Sequence, residues 1–167
     1  MAGGPIYPSS AYPGTTGNIF PNFYNGAGGN AAPHDEGFGV VASLGADSTL
    51  ELRFPIPPTL PTGTLKLNIL ALANATSGAA KLTVSDGTST PAASPAASGN
   101  PSAAALTAEA QTTITWAASE NDRYKQAKVP LTTAPAGNDQ LVVAVKFQTT
   151  GWTLAAVGTF IFSLIWE

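Results

Sequence analysis

Apolar and polar residues alternate along much of the chain, most clearly at residues 49–54, where Leu50, Leu52 and Phe54 are separated by polar side chains. A period of two is typical of a β-strand with one buried face. Residues 64–73 begin with the same alternation and then become apolar on both faces, as in a central strand of a sandwich. We predict eight strands, at residues 39–43, 49–54, 64–73, 80–85, 106–116, 124–131, 141–147 and 152–166.

Residues that favour turns fall between these runs. Prolines are dense in residues 55–61, Asp86 and Gly87 form a turn-like pair, and residues 88–104 are a low-complexity run of small residues and prolines. We expect this last run to be a surface loop, because it is too long for a tight hairpin. The pattern predicts an all-β fold, a single antiparallel β-sandwich that best fits an eight-stranded jelly roll, with an immunoglobulin-like Greek key as the alternative.

The first 38 residues differ from the rest of the chain, with eight glycines, five prolines and no strand periodicity. We interpret residues 1–38 as an extended N-terminal arm without regular strands and residues 39–167 as the sandwich domain. Aromatic residues recur along this arm, which is unusual for a disordered segment. We predict that five of them anchor the arm on a partner or a neighbouring subunit: Tyr7, Tyr12, Phe20, Phe23 and Tyr24. A passive leader, or packing on its own domain, is the alternative.

Composition and charge narrow the possible partners. Charged residues make up 10% of the 167 residues and the net charge is -3, with no cluster of Lys and Arg that could neutralise phosphates, so we expect no nucleic-acid partner. A surface so poor in charge suits contact with other subunits. The chain has no cysteine, and its most apolar stretch, residues 153–166, is too short for a membrane helix, so we expect a strand there and no membrane partner.

The residues that usually carry catalysis are scarce. The single histidine, His34, lies in the Gly/Pro-rich arm, and we interpret His34-Asp35-Glu36 as a solvated loop rather than a metal site. No phosphate-binding or dinucleotide-binding glycine motif is present. The sequence therefore favours a protein that is not an enzyme, with no catalytic residues, no metal and no cofactor.

Three tryptophans could stack on sugar rings. Trp116 and Trp166 continue alternating apolar runs, so we expect them in the core or in contacts between subunits. Trp152 follows Gly151 at the start of a predicted strand and is the best candidate for an exposed aromatic residue.

From about residue 49 onward, the chain resembles small structural proteins encoded near the capsid genes of tailed bacteriophages. The resemblance rests on Leu72-Ala73-Asn74-Ala75, on the stretch from Thr115-Trp116-Ala117 through Asn121-Asp122 to Tyr124, and on Ile165-Trp166-Glu167. These motifs have no chemical specificity, and the arm lies outside the resemblance.

The resemblance implies a virion structural protein, most simply a capsid decoration or cement protein that binds the major capsid protein and stabilises the phage head by bridging capsid subunits. Such a protein is expected on the outer capsid surface as a homo-oligomer, with a homotrimer favoured, after assembly in the host cytoplasm. The alternative is a tail, fibre or receptor-binding component that binds a host glycan, for which an aromatic cleft near Trp152 would be diagnostic.

Overall fold

The structure, a computed structural model, describes residues 4–13, 19–22, 37–40, 44–73, 77–89, 106–120, 123–154 and 158–167. The described residues form ten strands and contain no helix. The strands are β1 (Ser10–Pro13), β2 (Ile19–Asn22), β3 (Gly37–Val40), β4 (Ser48–Pro55), β5 (Leu65–Ala73), β6 (Gly78–Ser89), β7 (Thr107–Trp116), β8 (Tyr124–Pro130), β9 (Gln140–Phe147) and β10 (Gly158–Trp166).

The strands form two antiparallel sheets of five. Sheet I has the order β2-β3-β10-β5-β8 and sheet II the order β1-β4-β9-β6-β7. Without β1 and β2, consecutive strands from β3 to β10 give the four-plus-four arrangement of an eight-stranded jelly roll, in which most connections cross between the sheets. The predicted all-β sandwich of jelly-roll type is confirmed.

The core lies between the two sheets and follows the alternation in the sequence. In sheet II, Leu50, Leu52 and Phe54 of β4 are fully buried and pair with apolar residues of β9. In sheet I, every second residue of β5 is buried, which leaves the residues between them on the outer face. Aromatic rings join the layers, since Phe147 of sheet II and Phe160 of sheet I meet edge to face with centroids 5.2 Å apart.

The expectation that residues 1–38 contain no regular strand is wrong at β1 and β2, and β3 also begins at Gly37, two residues before the predicted boundary of the arm. The backbone of β1 pairs with β4 at the edge of sheet II, and β2 pairs with β3 at the edge of sheet I. Ile6 also forms a bridge with Leu164 and packs against the core. An edge strand needs backbone hydrogen bonds on one side only, which explains why Pro13 and Pro21 are tolerated and why the alternation of side chains gives no signal.

Two further expectations need correction. The predicted strand at residues 152–166 begins only at Gly158, because Gly151, with φ of 90°, belongs to a turn that precedes it. Asp86 and Gly87 do not form a turn, since β6 continues through them and Asp86 is fully buried opposite Val143. Its carboxylate accepts a hydrogen bond from the backbone N–H of Thr133 at 3.3 Å. The predicted 88–104 loop lies outside the described residues from position 90.

Candidate functional site on the outer face of sheet I

The outer face of sheet I carries the side chains of β5, β8 and β10 that alternate with the core residues. We call this surface the sheet I face. Its described positions are Lys66, Asn68, Leu70 and Leu72 on β5, Tyr124, Gln126, Lys128 and Pro130 on β8, and Thr159, Ile161, Ser163 and Ile165 on β10. The two strands that flank β5 therefore place aromatic, amide, hydroxyl, ammonium and aliphatic groups on one surface.

A chain of hydrogen bonds crosses three strands of this face. The Nε2 amide of Gln126 on β8 donates to Oδ1 of Asn68 on β5 at 2.6 Å. The Nδ2 amide of Asn68 then donates to the Ser163 hydroxyl on β10 at 3.1 Å. Because each side chain is held by the next, the three groups are fixed in position. Gln126 is exposed and Asn68 half-buried, so their remaining donors and acceptors can meet a ligand, whereas Ser163 is buried and only holds Asn68 in place. We call these three residues the polar ladder.

Two exposed tyrosines lie at opposite ends of the polar ladder. Tyr124, at the start of β8, is 44% exposed, and partial burial raises the pKa of its phenol. Tyr7 is 49% exposed and follows Ile6, whose side chain packs on the core. Since neighbouring residues of an extended chain point to opposite sides, Tyr7 lies on the outer side, next to the part of β10 that contains Ser163.

Charged groups mark the end of the face where β5 begins. Glu167 accepts hydrogen bonds from Lys66, at 3.2 Å, and from Lys128. These two bonds hold the pKa of the Glu167 carboxyl below its usual range. The backbone of Glu167 is itself fixed by two hydrogen bonds with Thr64, and Gly63, at φ of 123°, allows the close approach of the two segments.

Aliphatic side chains fill the space between these polar groups. Leu70, Leu72, Ile161 and Ile165 are half-buried, and Ile161 pairs directly with Leu70 across β5 and β10. They give the face an apolar floor beside the polar ladder. A ligand that has both apolar and hydroxyl-bearing surfaces would match this combination.

The arm residues predicted as anchors have mixed outcomes. Tyr7 is exposed beside the polar ladder. The backbone of Tyr12 pairs with Glu51 in β1, and that of Phe20 pairs with Gly39 in β2. Phe23 and Tyr24 lie outside the described residues, as does His34. The binding of the arm to a partner stays a prediction.

The three tryptophans are less exposed than Tyr124, which the sequence did not indicate as a candidate site residue. Trp116 and Trp166 are buried in the core, as expected. Trp152 is half-buried rather than exposed. Its ring packs edge to face on Phe147, with ring centroids 6.1 Å apart, and lies beside the ring of Phe160, with centroids 6.2 Å apart. Among the described side chains of β4 to β10, the exposed aromatic residue is Tyr124.

Sequence reasoning missed the polar ladder and the lysines beside it. A signal was present, because Tyr124, Gln126 and Lys128 alternate with Lys125 and Ala127, which marks one polar face of β8. Asn68 gave no comparable signal, because most residues of its strand are apolar. No local pattern indicates that β8 and β10 flank β5 in the sheet.

Within the described ranges, no three His, Cys, Asp or Glu side chains come together as a metal site would require. In the same part of the chain, no helix is long and apolar enough to cross a membrane.

No protein-family model matches the sequence, and no curated protein matches it significantly. Among solved structures, the cleaved adhesin domain K3 of Lys-gingipain from Porphyromonas gingivalis is similar over 100% of both chains, with 15% identity and a TM-score of 0.55. At this identity the likeness concerns the fold, and it supports the β-sandwich architecture described above.

Two carbohydrate-binding modules are less similar. The family 11 module from Clostridium thermocellum, solved with a mixed-linked tetrasaccharide, has 11% identity and a TM-score of 0.43. The match covers 95% of this chain and 88% of the module. The N-terminal cellulose-binding domain of β-1,4-glucanase C from Cellulomonas fimi has 13% identity, covers 90% and 95%, and gives a TM-score of 0.42.

Proposed function

We propose that this protein is a non-catalytic carbohydrate-binding protein and that the sheet I face binds the glycan. The observation that carries the proposal is the polar ladder of Gln126, Asn68 and Ser163 with exposed tyrosines at both of its ends. Of the alternatives raised by the sequence, this corresponds to the glycan-binding one, with Tyr124 in the role first given to Trp152.

The chemistry of a sugar ring fits this surface. A pyranose has a face of C–H bonds, which packs on an aromatic ring, and a rim of hydroxyls that both donate and accept hydrogen bonds. Amide side chains such as Gln126 and Asn68 also donate and accept, so they match hydroxyls without requiring a charge. Because the ladder is already ordered, binding a glycan would restrict few additional side-chain rotamers.

The test is calorimetric titration of the full chain against a panel of soluble plant, bacterial and host polysaccharides. Asn68→Leu keeps the branched shape of the side chain but breaks both ladder hydrogen bonds, and we expect it to weaken binding of the best ligand about tenfold, or ~1.4 kcal/mol. Thr113→Ala, on the exposed outer face of sheet II, is the matched control and should bind as the wild type does.

Thermal unfolding of each variant separates loss of binding from loss of fold. The proposal fails if no polysaccharide binds at millimolar concentration, or if a folded Asn68→Leu protein binds as tightly as the wild type. It also fails if Thr113→Ala and Asn68→Leu weaken binding equally, because the ligand would then not distinguish the two sheets.

The aliphatic floor of Leu70, Leu72, Ile161 and Ile165 favours a second candidate, since half-buried aliphatic groups also suit contact with another protein. In this candidate the protein decorates a phage head, as a homotrimer on the major capsid protein. Ile161→Lys should then abolish attachment to undecorated capsids, observed by electron microscopy. Unchanged attachment of this variant, or no attachment of the wild type, would exclude capsid binding through this face.

A further inference from the structure

Basic residues are concentrated around the sheet I face, although the protein as a whole has a net charge of -3. Four of the seven Lys and Arg residues lie on β5, on β8 or directly before β8: Lys66, Arg123, Lys125 and Lys128. Of these, Lys66 and Lys128 belong to the sheet I face itself, whereas Lys125 pairs with the core residue Ala71 and lies on the other side of β8. Two acids are described beside them. Glu120 binds Lys125, and Glu167 binds both Lys66 and Lys128. Even when Asp122, next to Arg123 in the sequence, is included, four bases stand against three acids.

The excess of positive charge is located at the Glu167 end of the face. One side-chain carboxylate is shared there by two ammonium groups, Lys66 and Lys128, so these three side chains together carry one positive charge. Each ammonium has three N–H donors, and only one from each is used by Glu167. Both lysine side chains are partly solvent-exposed, at 25% and 36%.

This cluster is continuous with the polar ladder. Lys128 pairs with Asn68 across β8 and β5, and Asn68 pairs with Ser163 across β5 and β10. Tyr7 lies beyond Ser163 on the neighbouring segment. With about 4.8 Å between strands, this row from Lys128 to Tyr7 spans ~14 Å, which exceeds the length of a single sugar ring. A bound chain of sugars would therefore reach both the ladder and the lysines.

We propose that the preferred ligand is an anionic glycan, which carries carboxylate or sulfate groups on its sugars, and that Lys66 and Lys128 bind those groups. This inference rests on the proposed function, because it names the class of glycan for the same site. The anion would accept hydrogen bonds from the unused ammonium donors, while the sugar ring next to it contacts the half-buried Asn68 and the exposed Gln126.

Titrations with pairs of polymers that differ only in charge test this proposal. Polygalacturonate is compared with its fully methyl-esterified form, and dextran sulfate with dextran, so that the two pairs separate carboxylate from sulfate. At low ionic strength we expect the acidic member of at least one pair to bind ten times more tightly than the neutral one. The preference should decrease with added salt, because the lysines are exposed to solvent.

Three variants locate the effect. Lys66→Gln combined with Lys128→Gln should remove the preference, whereas Lys81→Gln on sheet II, which also removes a positive charge, should keep it. Glu167→Gln removes the competing carboxylate, so affinity for the acidic polymer should increase two- to fivefold. An increase is informative because damage to the fold would decrease affinity.

The outcomes distinguish this inference from the proposed function. Equal affinity for the acidic and neutral members of both pairs overturns the anionic preference and leaves glycan binding standing. Loss of the preference in Lys81→Gln to the same extent also overturns it, because net charge rather than the lysine pair would then be responsible. If no polymer binds here or in the wider panel, both proposals fail.

Discussion

The outer faces of the two sheets use their polar residues differently. On sheet I, two lysines share one carboxylate and the amides of Gln126 and Asn68 form a ladder between exposed tyrosines. On sheet II, two acids each bind one base: Glu51 binds Arg53 at 2.8 Å and Asp47 binds Lys146 at 2.7 Å. Among the described side chains of the sheet II face, none is aromatic.

The two faces also differ in how much they are covered. Arg53, Val142 and Gly87 form one row on the outer side of sheet II, and all three are buried, with Val142 only 1% exposed. On sheet I the small polar Thr159 and Ser163 are also buried, but the aliphatic residues, such as Ile161, remain half-exposed. Charge pairing and coverage on sheet II serve the fold, whereas the sheet I face has half-exposed aliphatic groups and exposed polar groups that the fold does not cover. This difference is the reason why the proposed binding site is placed on sheet I.

The largest effect is expected when both tyrosines of the sheet I face are removed. Each aromatic contact with a sugar ring contributes about 1 kcal/mol, so Tyr7→Ala combined with Tyr124→Ala should weaken glycan binding roughly 30-fold in calorimetric titrations. Thr113→Ala combined with Thr115→Ala on sheet II should leave it unchanged. Equal losses in the two double variants would contradict the functional difference between the faces.

A difference in stability should follow from the difference in coverage. Val142→Ala removes apolar volume from a covered position and should lower the free energy of unfolding by about 2 kcal/mol, measured by urea denaturation. Ile161→Ala removes more atoms, yet it should cost about 1 kcal/mol, because its side chain is already half-exposed. If Ile161→Ala costs more than Val142→Ala, the sheet I face is as well covered as sheet II.

The smallest effect concerns Asp47, whose carboxylate accepts hydrogen bonds from Lys146 and from the N–H and hydroxyl of Thr149. These bonds lower its pKa from 3.8 to about 2. A carboxyl whose pKa is lower in the folded state stabilises the fold at pH values above its pKa in the unfolded chain. This contribution to stability is lost as the pH falls through about 2.

Asp47→Asn should therefore lower the Tm slightly at pH 6, and the gap from the wild type should shrink between pH 4 and pH 2. Glycan affinity at neutral pH should not change, in contrast to Glu167→Gln. A constant gap in Tm down to pH 2 would show that the Asp47 carboxylate is not responsible for the difference.

The fold was more predictable than the site. Alternation in residues 49–54 and 64–73 reports directly which side chains are buried, so the strands and the core could be derived from it. The edge strands β1 and β2 could not, because their pairing depends on backbone groups that every residue has. Trp152 was expected to be exposed because it follows a glycine, but the turn at Gly151 brings its ring onto Phe147.

The sequence alone determined the fold class and the absence of thiol chemistry, and it determined which residues of each strand share a face, since side-chain direction in a strand is a local property. The tertiary structure decided which strands are neighbours. Lys66 and Glu167 are 101 positions apart, and Asn68 and Ser163 are 95 apart, so their contacts exist only because β10 and β8 flank β5. Strand order depends on long-range backbone pairing, which no local pattern records.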